Sequence, residues 1–190
     1  MPGGLRVLLP LVGALSWMKG ADFIPTCRAG WLTGWGAGFI FYIIVFYWLP
    51  YPLHAFSISP LPVWRAWLVT DCLALYMGFY WGLWLAGVTH MRRCLRLNSL
   101  SLWFGSLFWI GLAHIRSHLF TGLPWGHVEV LLGDWPVMVQ WADLLGSPAV
   151  GGWLLLLGGY GVRCLHRWDL KTGAVLMVLG VLPYTYGLWS

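Results

Sequence analysis

Between Arg28 and Arg65 the chain contains no Asp, Glu, Lys or Arg at all. Soluble domains carry about a quarter of their residues as charges, and a charge-free run of that length has no place on a water-exposed surface. The rest of the sequence agrees, with 9% charged and 59% hydrophobic residues in 190. Sixteen Trp, eight Tyr and nine Phe supply the amphipathic rings that collect at the headgroup level of a bilayer. The predicted fold is all-α: one polytopic membrane domain over residues 1–190.

A spanning helix needs about 20 mostly apolar residues, and the breaks between such runs mark the segments. The N-terminal run, Leu5 to Lys19, has the outline of a secretory leader but no small-residue cleavage site after it, so it is read as a retained first segment. The second is Gly30 to Leu49, ended by Pro50-Tyr51-Pro52 because proline cannot continue a helix. A loop to about Pro62 follows. The third runs from Val63 to about His90 and gives way to the basic turn Met91-Arg92-Arg93-Cys94-Leu95-Arg96. The fourth is Leu100 to Leu119, broken by turn residues through Gly126. The fifth, Val137 to Val162, contains Gly146, Pro148, Gly151 and Gly152, which are expected to kink or interrupt it. Arg163 to Lys171 is a second basic turn, and Thr172 to Trp189 the sixth segment. Gly30, Gly34 and Gly38 recur at every fourth position, the spacing that lets two helix backbones approach closely in lipid.

The net charge is +5, but the cations stand in ones, twos and threes at the ends of apolar runs. That distribution excludes the continuous basic face that nucleic acid requires. Eight of the eleven Lys and Arg fall on alternate connections: Lys19, Arg28, Arg92, Arg93, Arg96, Arg163, Arg167 and Lys171. Cytoplasmic loops carry the excess of basic residues, so these connections are placed in the cytoplasm, and those around Pro50 to Pro62 and Phe120 to Pro136 outside, with Met1 and Ser190. Cys27, Cys94 and Cys164 then lie at reducing, cytoplasmic turns and Cys72 within a span, which argues against structural disulfides.

Several strings resemble one family. Phe120-Thr121-Gly122-Leu123-Pro124-Trp125, preceded by Arg116, is similar to the phenylalanine-threonine-glycine-phenylalanine-proline-tryptophan signature of apolipoprotein N-acyltransferases. Downstream, Leu132-Gly133 and Gln140 to Gly146 resemble that family's leucine-glycine and aspartate-glycine stretches. Upstream, Arg28-Ala29-Gly30 with Gly34 and Gly38, ending in Tyr47-Trp48-Leu49, resembles its arginine-led, glycine-spaced span. The pieces keep the family's order from about Leu8 to Trp189. Departures are Ala113 in place of a glutamate, Ser147-Pro148-Ala149 in place of an aromatic-glycine step, and the lack of a match to the family's first helix.

The resemblance implies the membrane half of an enzyme of a bacterial inner membrane. There a phospholipid such as phosphatidylethanolamine donates an acyl chain to the N-terminal amine of a lipoprotein. In the family a nitrilase-like domain beyond the last span supplies a catalytic glutamate, lysine and cysteine. No residue up to Ser190 matches these, so none is assigned a catalytic role and no cofactor is expected. The expected role is a platform for phospholipid and lipoprotein, working with a nitrilase-like domain or subunit. Its lipid-binding candidates are Arg116, Phe120, Thr121, Gly122, Pro124 and Trp125, with the Arg116 guanidinium suited to a bidentate grip on phosphate.

Ionisable groups at membrane depth cost at least about 2.5 kcal/mol each on insertion scales, which also singles out Asp71 and Asp143. Asp71, with Arg65 on the same helix, suits a snorkelled interfacial position. Two other classes of function compete. His114 and His118 share a helical face, with His127 and Glu129 shortly after, the outline of a membrane metalloenzyme site; backbone-bonded interfacial histidines are the plainer reading. A small transporter or scaffold would show internal repeats, and none is found.

Overall fold

The computed structural model describes residues 24–55, 62–93, 100–119, 126–133, 135–166 and 169–189. The segment predicted at Leu5 to Lys19 lies outside them. The described residues form seven α-helices: α1 (Cys27–Val45), α2 (Pro50–Ala55), α3 (Val63–Arg93), α4 (Ser101–His118), α5 (Ala142–Leu145), α6 (Ser147–His166) and α7 (Leu170–Trp189). Two 3-10 turns, Val128–Leu132 and Pro136–Met138, precede α5, and no strand occurs among the described residues. The chain divides into two compact units, Ile24–His90 and one that includes Met91–Ser190.

In the first unit Thr26 caps α1, its hydroxyl accepting the Ala29 N–H at 3.1 Å as helix starts favour. The glycines expected to pack do so, against α3. A Cβ at Gly34 would stand 2.7 Å from the Trp81 carbonyl oxygen, and one at Gly38 2.8 Å from the Gly78 Cα. Only hydrogen fits between these backbones. On α3 the buried residues include small or hydroxylated ones (Ala66, Thr70, Ala74, Gly78, Gly82) beside Met77, Tyr80, Trp84, Leu85 and Val88, while Leu32, Ile40 and Ile44 of α1 and Leu68, Val69 and Leu75 of α3 are exposed. Small residues at a close helix–helix contact and large aliphatics on the outer face suit helices solvated by lipid.

The boundaries here differ from expectation at proline and at charge. The span predicted to reach Leu49 ends at Val45; a turn follows, and Pro50 opens α2 where a loop was expected. A first-turn position has no intrahelical use for the N–H that proline lacks. Past His90, Met91–Arg93 stays helical, because arginine in a last turn complements the partial negative charge of the carbonyl end.

In the second unit α4 packs along α6. Gly152 sits so close that an added Cβ would lie 2.5 Å from Ile110 Cγ1, and Trp103 Nε1 donates to the Tyr160 hydroxyl at 3.0 Å. The predicted Val137 to Val162 span is divided. Gly146, at φ 82°, separates α5 from α6, a backbone conformation that glycine adopts without steric cost. Gly151 and Gly152, by contrast, are seated inside α6 and serve packing. The turn expected from Arg163 to Lys171 is shorter, with α6 reaching His166 and α7 starting at Leu170. Asp169 caps that start, its carboxylate accepting the Thr172 N–H at 2.6 Å and hydroxyl at 2.8 Å. These bonds, the backbone one first, hold the Asp169 carboxyl below its usual range.

Pro183 lies inside α7, where its missing N–H deprives the Leu179 carbonyl of a helical donor. Trp153 Nε1, from α6, donates to that oxygen at 2.8 Å. Orphaned carbonyls in an apolar medium need such a neighbour, and here it also ties α6 to α7.

Two helices, α3 and α7, are long and apolar enough to cross a membrane by length and composition. Helices α1, α4 and α6 have comparable lengths of 19, 18 and 20 residues.

Candidate functional site

One face of α4 is buried: Ser101, Gly105, Ser106, Trp109, Leu112, Ala113 and Arg116. The steps of three and four residues between most of them place them on a single line. Arg116 ends that line at 2% exposure and is the largest fully buried side chain of the described residues. The predicted loop follows almost at once, and Phe120, Thr121, Gly122, Pro124 and Trp125 lie outside the described residues.

The chain resumes at Gly126, whose φ of 72° is the left-handed conformation that glycine accepts readily. This reversal delivers His127 and the 3-10 turn Val128–Leu132. His127 Nδ1 and Glu129 Oε1 are 2.9 Å apart, and both side chains are buried. Gly151 of α6 lies against Glu129: a Cβ there would meet Glu129 Oε2 at 2.9 Å and Trp109 Nε1 at 3.1 Å. An isolated buried carboxylate or imidazolium costs several kcal/mol, which the mutual hydrogen bond offsets. In the tautomer that carries its hydrogen on Nδ1 the ring donates to Glu129 and leaves Nε2 as an acceptor.

The sequence grouped His127 and Glu129 with His114 and His118 as a possible metal set. The structure pairs them with each other instead. His118 Nδ1 lies 2.9 Å from the His114 carbonyl oxygen and 3.0 Å from Ser117 Oγ, and the two imidazole rings are tilted at 46° with centroids 4.4 Å apart. For His118 this matches the plainer, backbone-bonded reading. Among the described residues no group of three or more His, Cys, Asp or Glu is gathered to hold a metal ion. What the sequence missed is an i, i+2 pair whose contact depends on a 3-10 turn, which neither a 3.6 nor a 2.0 period reveals.

The other polar candidates are placed separately. Asp143, on α5, accepts the Tyr186 hydroxyl at 3.0 and 3.2 Å, joining α5 to the end of α7, where Gly187 also touches the Val137 carbonyl. Asp71 is half-buried on α3, and the Arg65 guanidinium stacks 5.0 Å from the Trp64 ring centroid. None of Cys27, Cys72 and Cys164 is in a disulfide; Cys94 lies outside the described residues.

Comparison with known proteins covers most of the chain. Residues 4–160 match the family model described as apolipoprotein N-acyltransferase N-terminal domain. An apolipoprotein N-acyltransferase of Geobacter metallireducens is 23% identical over 192 aligned residues, covering 94% of this chain and 36% of that protein. One from Rhizobium etli is 27% identical over 160 residues, covering 82% of this chain and 27% of its own length. The chain therefore spans about a third or less of the length of these relatives.

Proposed function

Since the chain belongs to the apolipoprotein N-acyltransferase N-terminal domain family, a membrane domain, we propose that it is the membrane platform of a lipoprotein N-acylation system. It holds a phospholipid acyl donor and presents a lipoprotein amine to a nitrilase-like catalytic domain, on the same polypeptide or a separate one, at the outer face of a bacterial inner membrane. Six membrane segments carry it, among them α1, α3, α4, α6 and α7. Residues 120–125 with Arg116 handle the lipid.

The observation that supports this reading best is the family match running through Arg116 and the 120–125 signature, with Arg116 buried at the end of α4. The platform's contribution is orientation: confining a lipid tail and aligning its ester is worth several kcal/mol of barrier, up to about 7–11 in ideal cases. The bond-making thiolate comes from the catalytic domain.

The test is transfer of a labelled acyl group from phosphatidylethanolamine to a diacylated lipoprotein peptide. Residues 1–190 alone should give no turnover, and adding a nitrilase-like catalytic domain should give it. Arg116→Ala and Trp125→Ala should weaken phospholipid binding while membrane insertion persists. Turnover by residues 1–190 alone, abolished by replacing one of their cysteines, would overturn the platform reading.

A further inference from the structure

The start of α1 and the last turns of α3 bring a thiol and an imidazole together. Cys27 is the first residue of α1, directly after the Thr26 cap. Its Sγ lies 3.9 Å from Nδ1 of His90, within hydrogen-bonding range for sulfur, across a sequence separation of 63. Cys27 is half-buried and His90 exposed, so the pair is reachable from outside the unit. The other described thiols have different settings, Cys72 exposed and Cys164 buried.

Three effects act on this sulfur in the same direction. A helix N-terminus carries partial positive charge and favours a thiolate. An imidazole nitrogen within reach accepts the thiol proton when Nε2 carries the ring hydrogen. The charged residues nearest in sequence are cations: Arg28 after Cys27, and Arg92 and Arg93 after His90. Asp22 stands five residues before Cys27, and on α1–α3 the one carboxylate is Asp71, five turns of helix before His90. A nucleophile and a base on another helix form a pairing that neither packing nor the proposed lipid role requires.

We infer that Cys27 and His90 form an activated-thiol site, a point of covalent modification by soft carbon electrophiles. His90 Nδ1 takes the thiol proton, and the sulfur lone pair attacks the electrophilic carbon. The S–C bond forms as the bond from carbon to the leaving group breaks. The leaving group departs with that electron pair, and the proton stays on the imidazolium until solvent removes it. The product is a thioether, and no oxidant or reductant is involved.

The experiment uses the full chain in detergent micelles with Cys72, Cys94 and Cys164 changed to alanine, and iodoacetamide as the electrophile. Alkylation of Cys27 is followed from about pH 6 to 9, a range that includes the ordinary thiol value near 8.5. The rate at pH 7 should exceed that of the His90→Phe variant about tenfold, with half-maximal reactivity below the ordinary thiol range and about one pH unit below the variant's. Free imidazole should accelerate His90→Ala and leave the parent unchanged, a response that a merely structural histidine would not give. Equal rates in parent and variants, or a parent profile centred on the ordinary thiol value, would overturn the assignment. The parent profile decides the matter even if the variants do not fold.

Discussion

At the scale of single residues, the buried His127–Glu129 pair is the least expected feature, because an apolar interior normally penalises such groups. Its energetics are those of a mutually dependent pair. Glu129→Ala leaves the imidazole buried without its partner and should destabilise the second unit by roughly 3 kcal/mol. Replacing both, as Glu129→Ala with His127→Phe, should recover part of that loss, since an apolar substitute carries no unpaired group. Thermal unfolding in micelles measures all three variants, and strictly additive losses would show that the 2.9 Å contact contributes no coupling. Individual residues were unevenly legible in the sequence. Arg116 stood out because charge is rare in an apolar helix, yet its burial is set by tertiary packing, which no local pattern states. Glu129 and Trp109 are brought to Gly151 by three separate elements, so their neighbourhood was invisible one-dimensionally. The Cys27–His90 contact spans two helices and was hidden for the same reason.

Among elements, apolar runs and their basic ends located α1, α3, α4, α6 and α7, because in lipid the requirement for length dominates. Boundaries failed where a breaker has a positional use. Pro50 starts a helix instead of ending one, and Gly151 and Gly152 pack instead of bending. Pro183 gave no sequence warning because its cost is met from another helix, by the Trp153 indole on the Leu179 carbonyl. That compensation is separable by a double-mutant cycle. Trp153→Phe removes the donor while keeping an aromatic ring, and should cost about 1–3 kcal/mol by leaving a buried acceptor unsatisfied. In a Pro183→Ala background residue 183 regains an N–H for Leu179, and the same change should cost about 1 kcal/mol less. Equal costs in the two backgrounds, measured by unfolding in micelles, would mean that the indole does not stand in for the missing helical bond.

For the whole molecule, the remaining question of sidedness is decided by charges more than by packing. Lys and Arg near the ends of spans bias a connection toward the cytoplasm, and the eight on alternate connections all point the same way. Helix α7 illustrates the local asymmetry: Asp169 and Lys171 stand at its start, and from Thr172 to Ser190 there is no charged residue. A span with Lys or Arg gathered at one end is biased to insert with that end at the cytoplasmic face. The same rule predicts a cytoplasmic position for the basic connection that contains Arg96. A reporter active only outside the cytoplasm should therefore be active when fused after Ser190 and silent when fused after Arg96. This arrangement is also what the proposed function requires, because it sends the end of α7, pinned to α5 through Tyr186 and Asp143, to the outer face where lipoprotein acylation is placed. Changing Arg163, Arg167 and Lys171 together to glutamine should weaken the bias and lower the activity of the Ser190 fusion, while a control change of Arg65, away from the basic turns, should leave it unaltered. The reverse fusion pattern, silent after Ser190 and active after Arg96, would overturn both the topology and the placement of the platform at the outer face.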